Sequence, residues 1–351
     1  MRGNPERRPA VGSTRRAVLK GSLVGAGIAT FSTGLASPSS GSAGDPLPTQ
    51  YDTVTVPSNN DPKRNPTVRL GSGDVLENVL IDQTAPGAQG RIVATGDDWV
   101  IRNVGFRGVG RWDDGEQGES FFHLYVSGNG RIENLHIDDR EPPGTRGTTN
   151  AGGALVARGH GGRIDVRNTF VAGCGNNAFY GGNPGSGGGG DGVVTFENCY
   201  HRDNTVSQFR IGTPGSYVEN CVVVVDDPEG RRGQYPNGSK NARGVLARHH
   251  EDLTADSCTI HVSPDDVDTD PAFVSWHRSG QSNGATCRLE VVDCDVSPDT
   301  QRIERNSGGD VVFAGGSGPG RDPTVAVVDE GVPLSPEMAA RGDRARPDDP
   351  T

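Results

Sequence analysis

Arg158, Tyr180, Arg210, Arg248 and Trp276 sit near the ends of short apolar stretches in five successive segments of this 351-residue chain. Guanidinium forks match the oxygens of carboxylates or sulfates, and aromatic faces can stack on sugar rings. Together they describe a surface for an acidic glycan. In Gln208-Phe209-Arg210-Ile211 an inward Phe209 and Ile211 turn Arg210 outward, and an inward Ala157 and Ala247 do the same for Arg158 and Arg248. Asn177 and Gln208 add amides to that surface, and His277 and Arg278 follow Trp276. The plainer alternative is that these arginines pair with neighbouring acids on an acidic surface.

Eliminating across a uronate needs a base for the proton α to the carboxyl and a group that neutralises the carboxylate. Arg210, Arg248, His249 and His250 are the candidate catalytic residues, and Arg158, Asn177, Tyr180, Gln208, Trp276, His277 and Arg278 the candidate substrate contacts. An arginine base must give up a proton held above pH ~12, so a histidine is the cheaper base. His249 and His250 do not make a metal pair, because adjacent strand residues point to opposite faces. Glycoside hydrolysis asks for two carboxylates. The stretches 91–95, 121–126, 154–158, 177–180, 208–211, 245–249 and 273–278 contain no Asp or Glu, leaving loop acids such as Glu251 and Asp203. Three of these stretches follow long polar connections, at 107–120, 138–153 and 226–244, which are natural binding loops beside a rigid face.

The elements that position these residues follow from a frame repeated eight times. Its key positions are Asn78, Asn103, Asn134, Asn168, Asn198, Asn220, Ser257 and Asp293, spaced 22 to 37 residues apart. Two residues before each comes an apolar side chain (Leu76, Ile101, Ile132, Val166, Phe196, Val218, Ala255, Val291), and the residue between is charged in seven of eight. That is the alternation of a half-buried strand. The residue after the key position also reads as inward, so parity changes there and the chain must bend. Asn tolerates the left-handed backbone such a bend needs. Three residues after the key position comes an apolar residue in seven repeats and His201 in the eighth, which reads as a satisfied interior histidine or a one-residue slip. A variable period in this range is that of a stacked solenoid.

In this frame the chain resembles the right-handed parallel β-helix of the pectate-lyase-like superfamily, with its stacked asparagines, over about residues 67–314. The resemblance implies an all-β, single-stranded right-handed parallel β-helix of about nine coils. It also implies a binding face on the strand preceding each Asn turn. Lyases of that superfamily use Arg or Lys as base, often with calcium or a second Arg as neutraliser, and its hydrolases carry acids on or beside the same sheet. It therefore implies a protein that binds or cleaves extracellular, acidic polysaccharide. The superfamily also holds adhesins, so a non-catalytic surface or matrix protein is the alternative.

Residues 1–36 read as a twin-arginine export segment, from Thr14-Arg15-Arg16-Ala17-Val18-Leu19-Lys20 and the short apolar stretch that follows; the mature chain is expected outside the cell with no membrane span. Residues 37–66 form a Pro/Ser/Gly-rich leader with a capping strand at 53–56, and residues 315–351 a last strand at 324–328 and a disordered polar tail. Only Lys20, Lys63 and Lys240 are lysines, and since residues 1–36 carry +5 of the −11 net charge, residues 37–351 carry −16. Such acid-rich, lysine-poor surfaces resemble those of salt-adapted proteins and argue against nucleic acid as a partner. The run Asp265-Asp266-Val267-Asp268-Thr269-Asp270 admits Ca2+ but lacks the glycine and closing glutamate of a calcium loop, so a solvated loop is the default. No other cofactor is indicated. The loop Asn183–Gly190 lacks the Lys-Ser/Thr of a phosphate loop, and Asn237-Gly238-Ser239 fits a glycan acceptor. Cys199, Cys221, Cys258 and Cys294 share one inward column, where in-register side chains point the same way, and are expected to be free buried thiols.

Overall fold

The computed structural model describes residues 31–32, 51–58, 67–112, 121–140, 149–182, 190–226, 243–262, 271–276, 287–298, 300, 303–305, 309–315 and 331–343. Outside them lie most of the export segment, most of the leader, the Gly-rich loop up to residue 189, the Asn237 acceptor, the Asp265–Asp270 run, His277, Arg278 and the strand expected at 324–328. Within them the chain is a parallel β-helix. Each turn of the solenoid crosses a first sheet in two halves separated by the Asn position, leaves it through a connection of varying length, runs through a strand of a second sheet, and bends back.

The first sheet runs from Asp52–Thr55 through Val75–Asp82, Trp99–Arg107, Gly130–Asp138 and Arg163–Ala172 to Gly309–Ala314, each strand parallel to the one before. Up to residue 172 the strand continues through the Asn. From Val193–Glu197 onward the two halves are separate strands, so the sheet forks. The second sheet has nine strands among the described residues: Thr67–Leu70, Arg91–Ala94, Phe122–Val126, Gly152–Val156, Phe179–Tyr180, Ser207–Ile211, Arg243–Arg248, Phe273–Trp276 and Ile303–Arg305. The first and the last of these are not among the seven stretches singled out in the sequence.

All eight key positions adopt left-handed backbone, with φ between 45° and 58°. The bend inferred from the parity change is therefore a real one, and the same residue type serves it for a further reason. Asn103 Nδ2 donates to Asn78 Oδ1 at 2.8 Å, and Asn134 Nδ2 donates to Asn103 Oδ1 at 3.0 Å, so amides stack from coil to coil. The columns flanking the bend form the core. Leu76, Ile101, Ile132, Val166, Phe196, Val218, Ala255 and Val291 are all buried, as are Val79, Val104, Leu135, Thr169 and the four cysteines that follow. All six cysteines are free and buried. The Cys199 N–H points at Cys221 Sγ at 3.4 Å, and the Cys258 N–H at Cys294 Sγ at 3.3 Å. These thiols serve as small apolar rungs.

His201 stays in register between Val171 and Val223, so no slip occurs there. Its ring stacks on Phe209, at 4.0 Å between centroids, and on Phe179 at 5.6 Å, while Nδ1 meets the Gln208 carbonyl at 2.7 Å. Burial lowers its pKa to about 3, so the ring is neutral and must donate from Nδ1, a carbonyl being an acceptor only.

The C-terminal part differs from the polar tail expected. Residues 331–343 return along the outside of the first sheet, where Val332 and Leu334 pack on Phe170, Ala172, Tyr200, Val222 and Val224. A short helix follows, α1 (Pro336–Arg341). Ser335 caps it, accepting from the Met338 N–H at 3.1 Å, and Gly342 closes it at φ 80°. No helix among the described residues is long and apolar enough to cross a membrane.

Candidate functional site

Strand register decides which candidate residues stand together on the second sheet. Ile92, Leu124, Ala154, Phe179, Phe209, Val245 and Phe273 form one inward column. The neighbouring position points outward in every strand: Val93, Tyr125, Leu155, Tyr180, Arg210, Leu246 and Val274. Arg210 is thus outward and directly beside Tyr180. Arg248 and Trp276 are also partners, but two residues further along, in a second outward column. Arg158 lies beyond the end of its strand and is exposed. These five residues therefore do not form one line but occupy two columns and a turn. Each stands near a strand end, and the hydrogen-bonded register sets Arg248 and Trp276 two residues beyond the column of Tyr180 and Arg210.

The aromatic and basic residues of these columns do meet. The Arg210 guanidinium lies 3.6 Å over the Tyr180 ring, and that of Arg248 lies 4.4 Å over Trp276. Arg243, which precedes the stretch singled out in the sequence, reaches the same Trp276 ring at 6.0 Å, and Arg91 lies 6.0 Å from Tyr125. Each contact joins neighbouring coils. A guanidinium resting on a ring by its flat face still presents its N–H donors in plane, at its rim, where a planar oxyanion would be met. The site is sheltered. Arg210 is only 4% exposed and the outward Leu246 and Val274 only 1%, so this face is covered rather than open, while Tyr180, Arg243, Arg248 and Trp276 are half-buried. Tyr180 also packs against Phe121, Phe122 and Leu155, which extend an apolar floor from Arg210 toward the earlier coils.

Other candidates are placed differently. Gln208 is fully buried and bound within the fold: its Oε1 accepts from Asn204 Nδ2 at 2.7 Å and its Nε2 donates to the Asn204 carbonyl at 2.9 Å. The reason is a second parity change. Ala178 and Ala272, in register with Gln208, belong to the core beside the inward Phe179 and Phe273, so two consecutive residues face in where each strand begins. Asn177 is outward but 1% exposed, with its Oδ1 accepting from the Ser207 hydroxyl and its Nδ2 donating to Asn176. His249 turns away from the strand at φ 74° and is fully buried, whereas the adjoining His250 is half-exposed. Asp203, a loop acid weighed for hydrolysis, is 3% exposed and engaged by Arg202 Nε at 3.1 Å and the Asp226 N–H at 3.0 Å. Among the described residues no group of three or more His, Cys, Asp or Glu side chains is arranged to hold a metal ion.

One buried constellation has no counterpart in the sequence reading. His123 Nε2 lies 2.8 Å from Asp139 Oδ2 and its Nδ1 3.1 Å from the Gly90 carbonyl, while Asp139 Oδ1 accepts from the Gly110 N–H at 2.8 Å. Both side chains are fully buried. They join successive coils at the long connections, where Gln83 and Asn204 also tie backbone of adjacent coils. Their spacing of 16 residues carries no motif, so only the fold brings them together.

No family model, no curated protein and no solved structure matches this chain. Its fold and the arrangement above are what bear on function.

Proposed function

We propose that this protein binds an acidic, extracellular polysaccharide along the outer face of its second sheet, in the manner of the pectate-lyase-like superfamily it resembles. The observation that carries this is the pair of ring-mounted guanidiniums on neighbouring coils, Arg210 over Tyr180 and Arg248, with Arg243, about Trp276. Stacked sheet strands advance about 4.8 Å per coil and residues two apart in a strand about 6.8 Å, so Arg210 and Arg248 lie on a diagonal between neighbouring coils that one anionic chain can follow. The basic N-terminal segment and the acid-rich composition support export into a saline exterior as the setting.

Cleavage by β-elimination is the reaction class this face supports best. Arg248, half-buried on Trp276, stands as base or carboxylate neutraliser, Arg210 takes the complementary role where the cover over it moves aside, and His250 is the nearest half-exposed imidazole to Arg248 in the chain. The fully buried His249 is not in a position to touch a substrate unless the turn opens. Ca2+ remains the one ion whose participation is worth testing, as a neutraliser supplied with the substrate.

The test incubates the mature protein in high salt with a panel of uronate and sulfated glycans, with and without Ca2+, following both binding and the ultraviolet absorbance of unsaturated uronates. Binding that Arg210→Ala weakens at least tenfold is expected. Rising absorbance that the same substitution abolishes assigns the lyase. Binding with flat absorbance assigns a non-catalytic adhesin or matrix protein, and no binding to any anionic glycan overturns the proposal.

A further inference from the structure

The outer face of the first sheet is occupied by the chain itself. Residues 331–343 cross several coils there, and the contact is specific at both ends. Toward the later coils, Val332 and Leu334 fill an apolar groove made by Phe170, Ala172, Tyr200, Val222 and Val224. Toward the earlier coils, α1 lies on the asparagine stack: Asn134 Nδ2 donates to the Ala339 carbonyl at 3.2 Å, and Arg107 pairs with Glu337 at 3.5 Å. Gly105 makes the approach possible, because a Cβ there would overlap the Pro336 carbonyl.

Between these two anchors sits His136. Its ring is 2% exposed and stacked on Phe170, with centroids 4.7 Å apart and planes 12° from parallel. It also interacts with the Leu334 backbone of the returning segment. Its Nδ1 is buried with no hydrogen-bond partner. Putting a proton there would bury a donor without an acceptor, and a charge that the Leu334 and His136 backbone and the Asp138 carboxylate offset by less than burial costs it, so the docked arrangement favours the neutral ring.

We infer that residues 331–343 are an acid-released strap, docked while His136 is neutral and leaving the first sheet when His136 takes up a proton. Undocking hydrates the imidazolium and uncovers the apolar groove at Phe170, Tyr200, Val222 and Val224. The charges around the ring do not remove this penalty. On its own strand and turn, Asp138 is engaged by Arg140 at 2.9 and 2.7 Å; on the preceding coil, Arg107 is shared between Asp82 and Glu337; on the following coils, Arg202 is held by Asp203 and Asp226; and on the strap, Arg341 pairs with Asp343. Burial, the first cause, takes the ring's pKa down to about 4, with Asp138 and hydrogen bonds to the Leu334 and His136 backbone opposing and Arg140 assisting. The sign follows: a histidine whose docked pKa lies below its free value of about 6.5 favours docking fully above that value, and the preference is lost as pH falls toward 4.

The experiment is hydrogen exchange of the full chain followed by mass spectrometry at pH 7 and pH 5, corrected for intrinsic rates. Protection of peptides covering 332–341 is expected to fall roughly tenfold or more between the two, while core peptides such as 209–211 and 245–247 keep theirs. His136→Phe, which preserves the stack on Phe170 and cannot protonate, should keep the strap docked at pH 5. Gly105→Val should release it at pH 7. The inference is overturned if the strap stays equally protected at pH 5, if it and the core lose protection together, or if His136→Phe leaves the acid response intact. His136→Gln, also unable to protonate, serves the same comparison should the phenylalanine variant fail to fold.

Discussion

Arg210 stacks on Tyr180 one coil earlier with its guanidinium carbon 3.6 Å from the ring centroid, and this contact is part of the fold as well as of the candidate site. Both residues are outward, yet Arg210 is almost completely covered. A desolvated guanidinium on an aromatic face is worth about 2 kcal/mol, against about 0.5–1 when exposed. A double-mutant cycle with Tyr180→Leu and Arg210→Met, read by denaturant unfolding at fixed salt, is expected to return a coupling of about 1–2 kcal/mol. A coupling near zero would mean that the two side chains only share space. The same cycle repeated for glycan affinity separates the two roles, since a purely structural contact leaves the affinity of folded Tyr180→Leu unchanged.

The asparagine stack offers a second quantity to measure. Asn103 holds left-handed backbone at φ 55° and sits between the amides of Asn78 and Asn134. Replacing it with Ala imposes the left-handed penalty of about 1–2 kcal/mol and deletes two hydrogen bonds, each worth about 0.5–1.5 kcal/mol. Asn103→Gly relieves the backbone and loses only the bonds. Stability should therefore fall in the order wild type, Gly, Ala, with the Ala variant about 2–5 kcal/mol down by chemical denaturation. If Gly and Ala are equally destabilised, the backbone conformation is not what the residue supplies.

These positions were legible in the sequence because a parity change is a physical constraint: no regular strand can present inward residues both two before and one after the same position. His201 was legible for a similar reason, since an imidazole in an apolar column must find one backbone carbonyl, and it found Gln208. The candidate site was less so. Alternation extrapolated from Phe209 put Gln208 outward, but a second bend at the start of each strand puts both inside. Register between coils, which separates Arg210 from Arg248, is set by connection length and leaves no trace in any single coil. The strap was hidden for a different reason. Phe170-Val171-Ala172 and Val222–Val225 are apolar on both faces, and an unbroken apolar strand demands cover on its outer side as well. That demand is visible in the sequence; which segment meets it, more than a hundred residues later, is not.

The buried pair His123–Asp139 sets the opposite end of the pH range from His136. Nδ1 faces the Gly90 carbonyl and so carries a proton, and a second proton is shared between Nε2 and Asp139. Burial by itself would lower the His123 imidazole, but the Asp139 charge and the hydrogen bonds to Asp139 and Gly90 outweigh it and raise it; burial likewise raises the Asp139 carboxyl against the pull of His123. Seen from either partner, the fold retains the shared proton. A histidine raised above its free value of about 6.5 stabilises fully below that pH, and its contribution is lost as pH rises through the folded value. Losing the proton leaves a buried carboxylate facing a ring lone pair, joined at Gly90 and Gly110 to two earlier coils. Asp139→Asn changes this without emptying the site, because the amide can accept from the Gly110 N–H and donate to Nε2 of a neutral ring. Thermal unfolding between pH 6.5 and pH 9 should show wild-type stability declining with pH and the Asp139→Asn variant nearly flat. A parallel decline in both would place the alkaline sensitivity elsewhere in the solenoid.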